Sequence, residues 1–116
     1  MKTLFVLLSV VLALAALASA VADFRGLPQI KELMRRLQYR PGFERFLGLL
    51  KVIGAAGLLV GLAMHGLGVV AAIGFLLYFS LALRAHRSIG DPISASAPAV
   101  GLALLSLATV VTGLAS

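Results

Sequence analysis

Apolar residues fill four long stretches of the chain, 3–22, 46–64, 66–83 and 92–116, separated by two short arginine-bearing segments and by a turn built from histidine and glycine. A helix rises about 1.5 Å per residue and the hydrocarbon core of a bilayer is about 30 Å thick, so one crossing needs roughly 20 apolar residues. The stretches supply that length. They predict an all-α, polytopic integral membrane protein in which four transmembrane helices, at about 3–22, 46–64, 66–83 and 92–114, form one bundle and one domain over residues 1–116. Little chain remains outside the lipid, so any chemistry has to sit between helices or at the membrane surface.

The connections have their own pattern. Residues 28–38 carry Ile30, Leu33, Met34 and Leu37 at the i, i+3, i+4, i+7 spacing of one helical face, with Lys31, Arg35 and Arg36 around the rest. This predicts a short amphipathic helix lying on the membrane, an interfacial staple between helices 1 and 2 or a docking face for a cytoplasmic partner. From Val52 to Leu83 the only residue that ionises near neutral pH is His65, and that run is too long for one crossing. The combination Met64-His65-Gly66-Leu67-Gly68 therefore reads as the tight turn between helices 2 and 3. Lys51 then has to lie inside helix 2, since the apolar run after it is too short to cross alone. Asp91-Pro92 reads as the start of helix 4, with the carboxylate as cap and proline at the first helical position. Pro98 reads either as a kink in that helix or as its true start.

Charge adds a direction. Ten lysines and arginines against four acids give a net charge of +6, with 61% hydrophobic residues and a mean hydropathy of +1.10. Such a chain is not a water-soluble domain, and its basic residues are expected to meet anionic inner-leaflet headgroups rather than nucleic acid. Six of them, Arg25, Lys31, Arg35, Arg36, Arg40 and Arg45, fall between the first two stretches, and Arg84 and Arg87 fall between the last two. The positive-inside rule then puts loops 23–45 and 84–91 in the cytoplasm and both termini outside a bacterial plasma membrane. The first stretch also has the form of a signal peptide, with Lys2, a leucine-rich middle and Ala18-Ser19-Ala20 as a cleavage site. Cleavage would send those six basic residues outward, so a retained helix is the expected state. With no cysteine, disulfides, thiolate nucleophiles and cysteine metal sites are excluded.

Gly54, Gly57 and Gly61 mark a close-packing face on helix 2, and Ala71, Gly74, Tyr78, Ala82 and Ala85 a matching one on helix 3. Gly101, Ala108 and Thr112 are the equivalent positions on helix 4, where Thr109 and Thr112 can bond back to their own helix. Lys51 is the one intramembrane charge. It lies about 9 Å in from Arg45, at the depth of Tyr78, six residues before Arg84. A lysine this near the interface is expected to snorkel to headgroups; its alternative is a functional contact with Tyr78. His86, at the mouth of helix 3 beside Asp91 in sequence, has the titration range for proton exchange. Lys51, Tyr78 and His86 are thus the candidate binding residues. With no carboxylate expected inside any span, and His65 and His86 on opposite faces, neither a metal site nor a catalytic acid pair is expected.

Gly26-Leu27-Pro28, the run Leu47-Gly-Leu-Leu-Lys-Val-Ile-Gly-Ala-Ala-Gly-Leu-Leu-Val-Gly61, and then Ala85-His86 and Gly90-Asp91 resemble the DoxX-like family over nearly the whole chain. The resemblance implies a four-helix membrane protein. It also implies association with quinone-linked oxidation, with membrane redox complexes or with assembly of other membrane proteins, many members having no assigned activity. Two positions depart from the family pattern: relatives often carry an acid where Lys51 stands and a proline where His65 stands. His86 and Asp91 match it. The leading expectation is a non-catalytic accessory or assembly subunit, in contact with other membrane redox subunits or a second copy and needing no cofactor. The alternative is a quinone- or lipophile-binding oxidoreductase component. A small transporter is disfavoured, because four-helix exporters of this size rely on an acid in the first helix and residues 3–22 have none.

Overall fold

The computed structural model describes residues 1–26, 28–40, 42–90 and 93–116. Within them the chain is all-helical: α1 (Lys2–Arg25), α2 (Pro28–Arg36), α3 (Phe43–Val60), α4 (His65–Ser88) and α5 (Ile93–Leu114). The four long helices form a closed square in which α1 packs on α3, α3 on α4, α4 on α5 and α5 back on α1. The bundle measures 41 × 24 × 16 Å. Side-chain contacts sort its two ends. Phe5 meets His65, which reaches Gly113, so both termini and the 61–64 turn share one end. Asp23 meets Lys51, and the Arg36 guanidinium donates to the Ile89 carbonyl at 3.4 Å, so α2 and the end of α4 share the other.

The sequence builds α1 and α3 as complementary seams. Phe5, Ser9, Leu12, Ala16, Ala20 and Asp23 on α1, and Glu44, Gly48, Lys51, Ala55 and Leu58 on α3, are all buried. They recur every three or four residues, the spacing that keeps one helical stripe facing a partner. Ala13, Ala16, Ala55 and Ala72 let the backbones approach around Leu12, Leu58, Phe75 and Phe79. Large apolar side chains such as Leu7, Leu14, Ile53, Leu77, Leu81 and Leu104 point outward. That is the inverse of a soluble bundle and the arrangement lipid requires, where association rests on packing of small residues rather than on the hydrophobic effect.

The glycine face of α3 packs as expected. A Cβ on Gly54 would lie 2.6 Å from the Phe75 ring, one on Gly57 3.1 Å from Ala71 Cβ, and one on Gly61 2.3 Å from Gly68 Cα. Two other stripes are corrected in part. On α4, Ala71 meets Gly57 and Tyr78 packs on the core as expected, but Gly74 on α4 and Gly101 on α5 have nothing among the described residues within 4 Å of a Cβ position, so neither is a close-packing glycine. The buried face of α5 is rotated to Ala103, Ser106, Thr109, Val110 and Thr112. Ser106, Thr109 and Thr112 hydroxyls donate to the Leu102, Leu105 and Ala108 carbonyls of their own helix at 2.7, 2.7 and 2.9 Å. Ser9 Oγ is buried without a partner among the described residues.

The turn between α3 and α4 falls at 61–64, one helical turn before the expected place, because Gly66 and Gly68 belong to the first turn of α4, where Gly68 is needed against Gly61. Gly26 ends α1 in the left-handed region (φ 62°), its amide donating to the Asp23 carbonyl at 3.1 Å. Helix α5 continues through Pro98. The expected cap Asp91-Pro92, and Leu27 of the Gly-Leu-Pro motif, lie outside the described residues.

Candidate functional site

The α2 end of the bundle contains a buried charge pair. Lys51 Nζ donates to Asp23 Oδ2 at 2.7 Å and to Ser19 Oγ at 2.7 Å, and sits 5.5 Å from the centroid of the Tyr78 ring. Lys51 is 7% exposed and Asp23 6%. Each partner is placed by its seam: Ser19 and Asp23 lie one turn apart on the α3-facing side of α1, and Lys51 lies one turn after Gly48 on α3. Gly48 sets the distance, since a Cβ there would lie 3.1 Å from Asp23 Cβ and 3.2 Å from the Phe24 ring. An ammonium has three protons to donate; two go to oxygens, and the Tyr78 face stabilises the charge from the α4 side.

Two expectations are overturned here. Lys51 does not snorkel outward; it turns inward because a carboxylate waits there. And a carboxylate does lie within a membrane helix, since α1 runs to Arg25 and carries Asp23 in its last turn. Helix 1 thus contains the acid that its apolar stretch lacks, but Lys51 binds it. Asp23 was hidden because it follows the apolar run directly and reads as loop. The signal that reveals it is the seam itself, in which Ser9, Leu12, Ala16, Ala20 and Asp23 continue one stripe.

Of the three candidate residues, the fold brings Lys51 and Tyr78 together. His86, partly buried, lies eight residues further along α4, about 12 Å down the axis. His65 belongs to the opposite end, where its Nε2 lies 2.8 Å from the Gly113 carbonyl and its ring 4.9 Å from Phe5. Among the described residues no three metal-ligating side chains come together. Beside Tyr78 a groove of about 240 Å³ opens between α3 and α4, walled by Leu50, Ile53, Gly54, Ala71, Gly74 and Phe75. Its lining is apolar apart from the tyrosine.

By length and composition, three helical segments among the described residues can cross a membrane: Lys2–Arg25, His65–Ser88 and Ala97–Leu114. Helix α3, at 18 residues, carries Glu44, Arg45 and Lys51. The first two sit at its end, and the third is neutralised by Asp23 inside the bundle, which removes most of the penalty for an intramembrane charge. The model of the DoxX-like family matches residues 7–109. The chain belongs to the DoxX-like family, and it is an all-helical membrane protein. No curated protein and no solved structure matches it.

Proposed function

We propose that this chain is a non-catalytic accessory subunit that stabilises or assembles a larger membrane complex. The observation that carries this reading is the use of the polar groups inside the bundle. Lys51 ties α3 to α1 through Asp23 and Ser19, and the Ser106, Thr109 and Thr112 hydroxyls bond carbonyls of their own helix; these groups are engaged within the bundle rather than facing a substrate. The protein sits in a bacterial plasma membrane with both termini outside and the α2 and α4–α5 connections in the cytoplasm, the orientation favoured by the basic residues of those connections. Helix α1 is retained, since cleavage after Ala20 would remove Ser19, one of the two acceptors that hold Lys51, and the buried seam from Phe5 to Ala20 that packs on α3. Gentle-detergent purification from native membranes with mass spectrometry of co-purifying proteins tests the reading. Stoichiometric membrane subunits are expected; a stable monomer whose deletion leaves every membrane complex unchanged would sink it.

A second reading is favoured by the groove beside Tyr78: a lipophile such as a quinone lies between α3 and α4, its polar end toward Lys51. Co-purification of quinone, lost in Tyr78→Phe and Lys51→Met, is the expected result; quinone content equal in all three chains removes this reading.

A further inference from the structure

At the α2 end a second cavity, of about 450 Å³, opens between α2 and the first turn of α3. Lys31, Arg35, Arg40 and Arg45 line it, with Glu44 on the same wall. Glu32 holds Arg35 through both carboxylate oxygens, to Nε at 3.0 Å and to a terminal guanidinium nitrogen. Two acids therefore face four cations, and the cavity keeps an excess of positive charge. An aromatic ladder leads away from it. Tyr39 packs on Phe43 at 4.8 Å, Phe43 on Phe46 at 5.6 Å, and the Arg40 guanidinium lies 5.9 Å from the Phe43 centroid. Tyr39 and Phe46 are both exposed, so the ladder runs from the α2–α3 connection at Tyr39 onto the outer surface of α3 at Phe43 and Phe46.

We propose that this cavity binds the phosphodiester headgroup of an anionic glycerophospholipid, whose acyl chains lie against Tyr39, Phe43 and Phe46. Guanidinium forks match phosphate oxygens, and the excess positive charge matches an anion. The ladder decides between lipid and free phosphate, because a soluble anion has no use for an apolar track leading from the cavity onto the outer face of α3. The site is a discrete one, distinct from the general attraction of basic residues to an anionic surface, and it stands independently of the accessory-subunit reading.

The test uses the full chain reconstituted in phosphatidylcholine vesicles with spin-labelled phosphatidylglycerol or spin-labelled phosphatidylcholine as probe. The fraction of label held immobile by the protein is measured. A preference for phosphatidylglycerol of about 25-fold is expected, with each cation removed from the cavity lowering it about fivefold, so that Arg40→Gln/Arg45→Gln returns it to parity. Lys31→Gln, which leaves α3 untouched, moves it in the same direction. Arg84→Gln/Arg87→Gln, at the same end but outside the cavity, leaves it in place. Equal association of the two lipids, equal loss in the Arg84/Arg87 variant, or full displacement by millimolar inorganic phosphate would each overturn the proposal, the last by making this a free-phosphate site.

Discussion

The two ends of the bundle are closed by different physics. At the α2 end α1 and α3 are joined by a buried ion pair, Asp23 with Lys51. At the other end α3 and α4 are joined by backbone in contact with backbone, Gly61 on Gly68, and His65 ties α4 to α5 through a carbonyl. The difference shows what each end tolerates. A charge pair is sensitive to loss of one partner and indifferent to loss of both, whereas a glycine contact is sensitive to any added atom. Substitutions can therefore separate the two.

The largest effect belongs to the charged end. Asp23→Ala leaves Lys51 buried without a counter-charge, a change that costs about 3–5 kcal/mol when one partner of a buried pair is removed. Replacing both, as Asp23→Leu/Lys51→Met, is expected to return stability to within about 1 kcal/mol of the parent, since matched apolar pairs are often as stable as buried ion pairs. Denaturant unfolding in detergent measures both. If the double variant is as unstable as the single, Lys51 and Asp23 do more than balance each other. If the double variant is stable but loses its co-purifying partners or lipophile, the pair is a functional site.

Next comes the glycine end. Gly61→Ala puts a Cβ 2.3 Å from Gly68 Cα and 2.6 Å from its nitrogen; backbone cannot step aside as a side chain can, so about 3 kcal/mol is expected, the upper range for overpacking. Gly74→Ala is the control, because nothing among the described residues lies within 4 Å of its Cβ position. It should be neutral, or more stable by up to about 1 kcal/mol from helix propensity alone. Loss of stability in Gly74→Ala to match that in Gly61→Ala would show that the α3–α4 contact is not where the structure places it. A smaller loss is expected from His65→Ala, which removes the Gly113 hydrogen bond and the Phe5 contact, about 1–2 kcal/mol together.

The contrast also explains how much of this protein could be read from its sequence. The all-helical membrane class, the glycine face of α3 and the amphipathic α2 follow from hydrophobic length and period, which act locally. Lys51 and Tyr78 were visible as an ionisable group and a ring at one depth. What stayed hidden depends on rotation and on contacts between distant segments. The rotation of α4 and α5 decides that Gly74 and Gly101 face outward, and apolar residues on every side of a lipid-embedded helix leave little amphipathic signal to fix it. Asp23 was misread because composition places a charge at the end of a hydrophobic run outside the membrane, while packing on α3 draws it in. The turn at 61–64 was misplaced because glycine serves equally as a helix breaker and as a close-packing residue, and here Gly66 and Gly68 begin a helix.

The smallest effect sharpens the charged end, because the same region holds an exposed pair beside the buried one. Glu32 and Arg35 are one turn apart on α2 and largely exposed. The hydrogen bonds from Arg35 hold the Glu32 carboxyl below its ordinary value of 4.5. A carboxylate lowered on folding contributes stability above its unfolded value and loses that contribution as the pH falls through its folded one, so the α2 pair is intact at neutral pH and dissolves in acid, below about 4.5. Because solvent screens it, its effect on the unfolding of the bundle should be close to the limit of measurement. The pair is better followed by the carboxyl carbon-13 shift of Glu32 in micelles. Its midpoint should lie below 4.5 in the parent and rise toward 4.5 in Arg35→Gln. The identical variant frees Glu32 to oppose the remaining cations of the cavity, so phosphatidylglycerol binding should fall by more than loss of one cation alone predicts. A midpoint unmoved by Arg35→Gln would show that Glu32 is held by other charges at this end, and that the cavity has more positive charge to offer than this pairing leaves it.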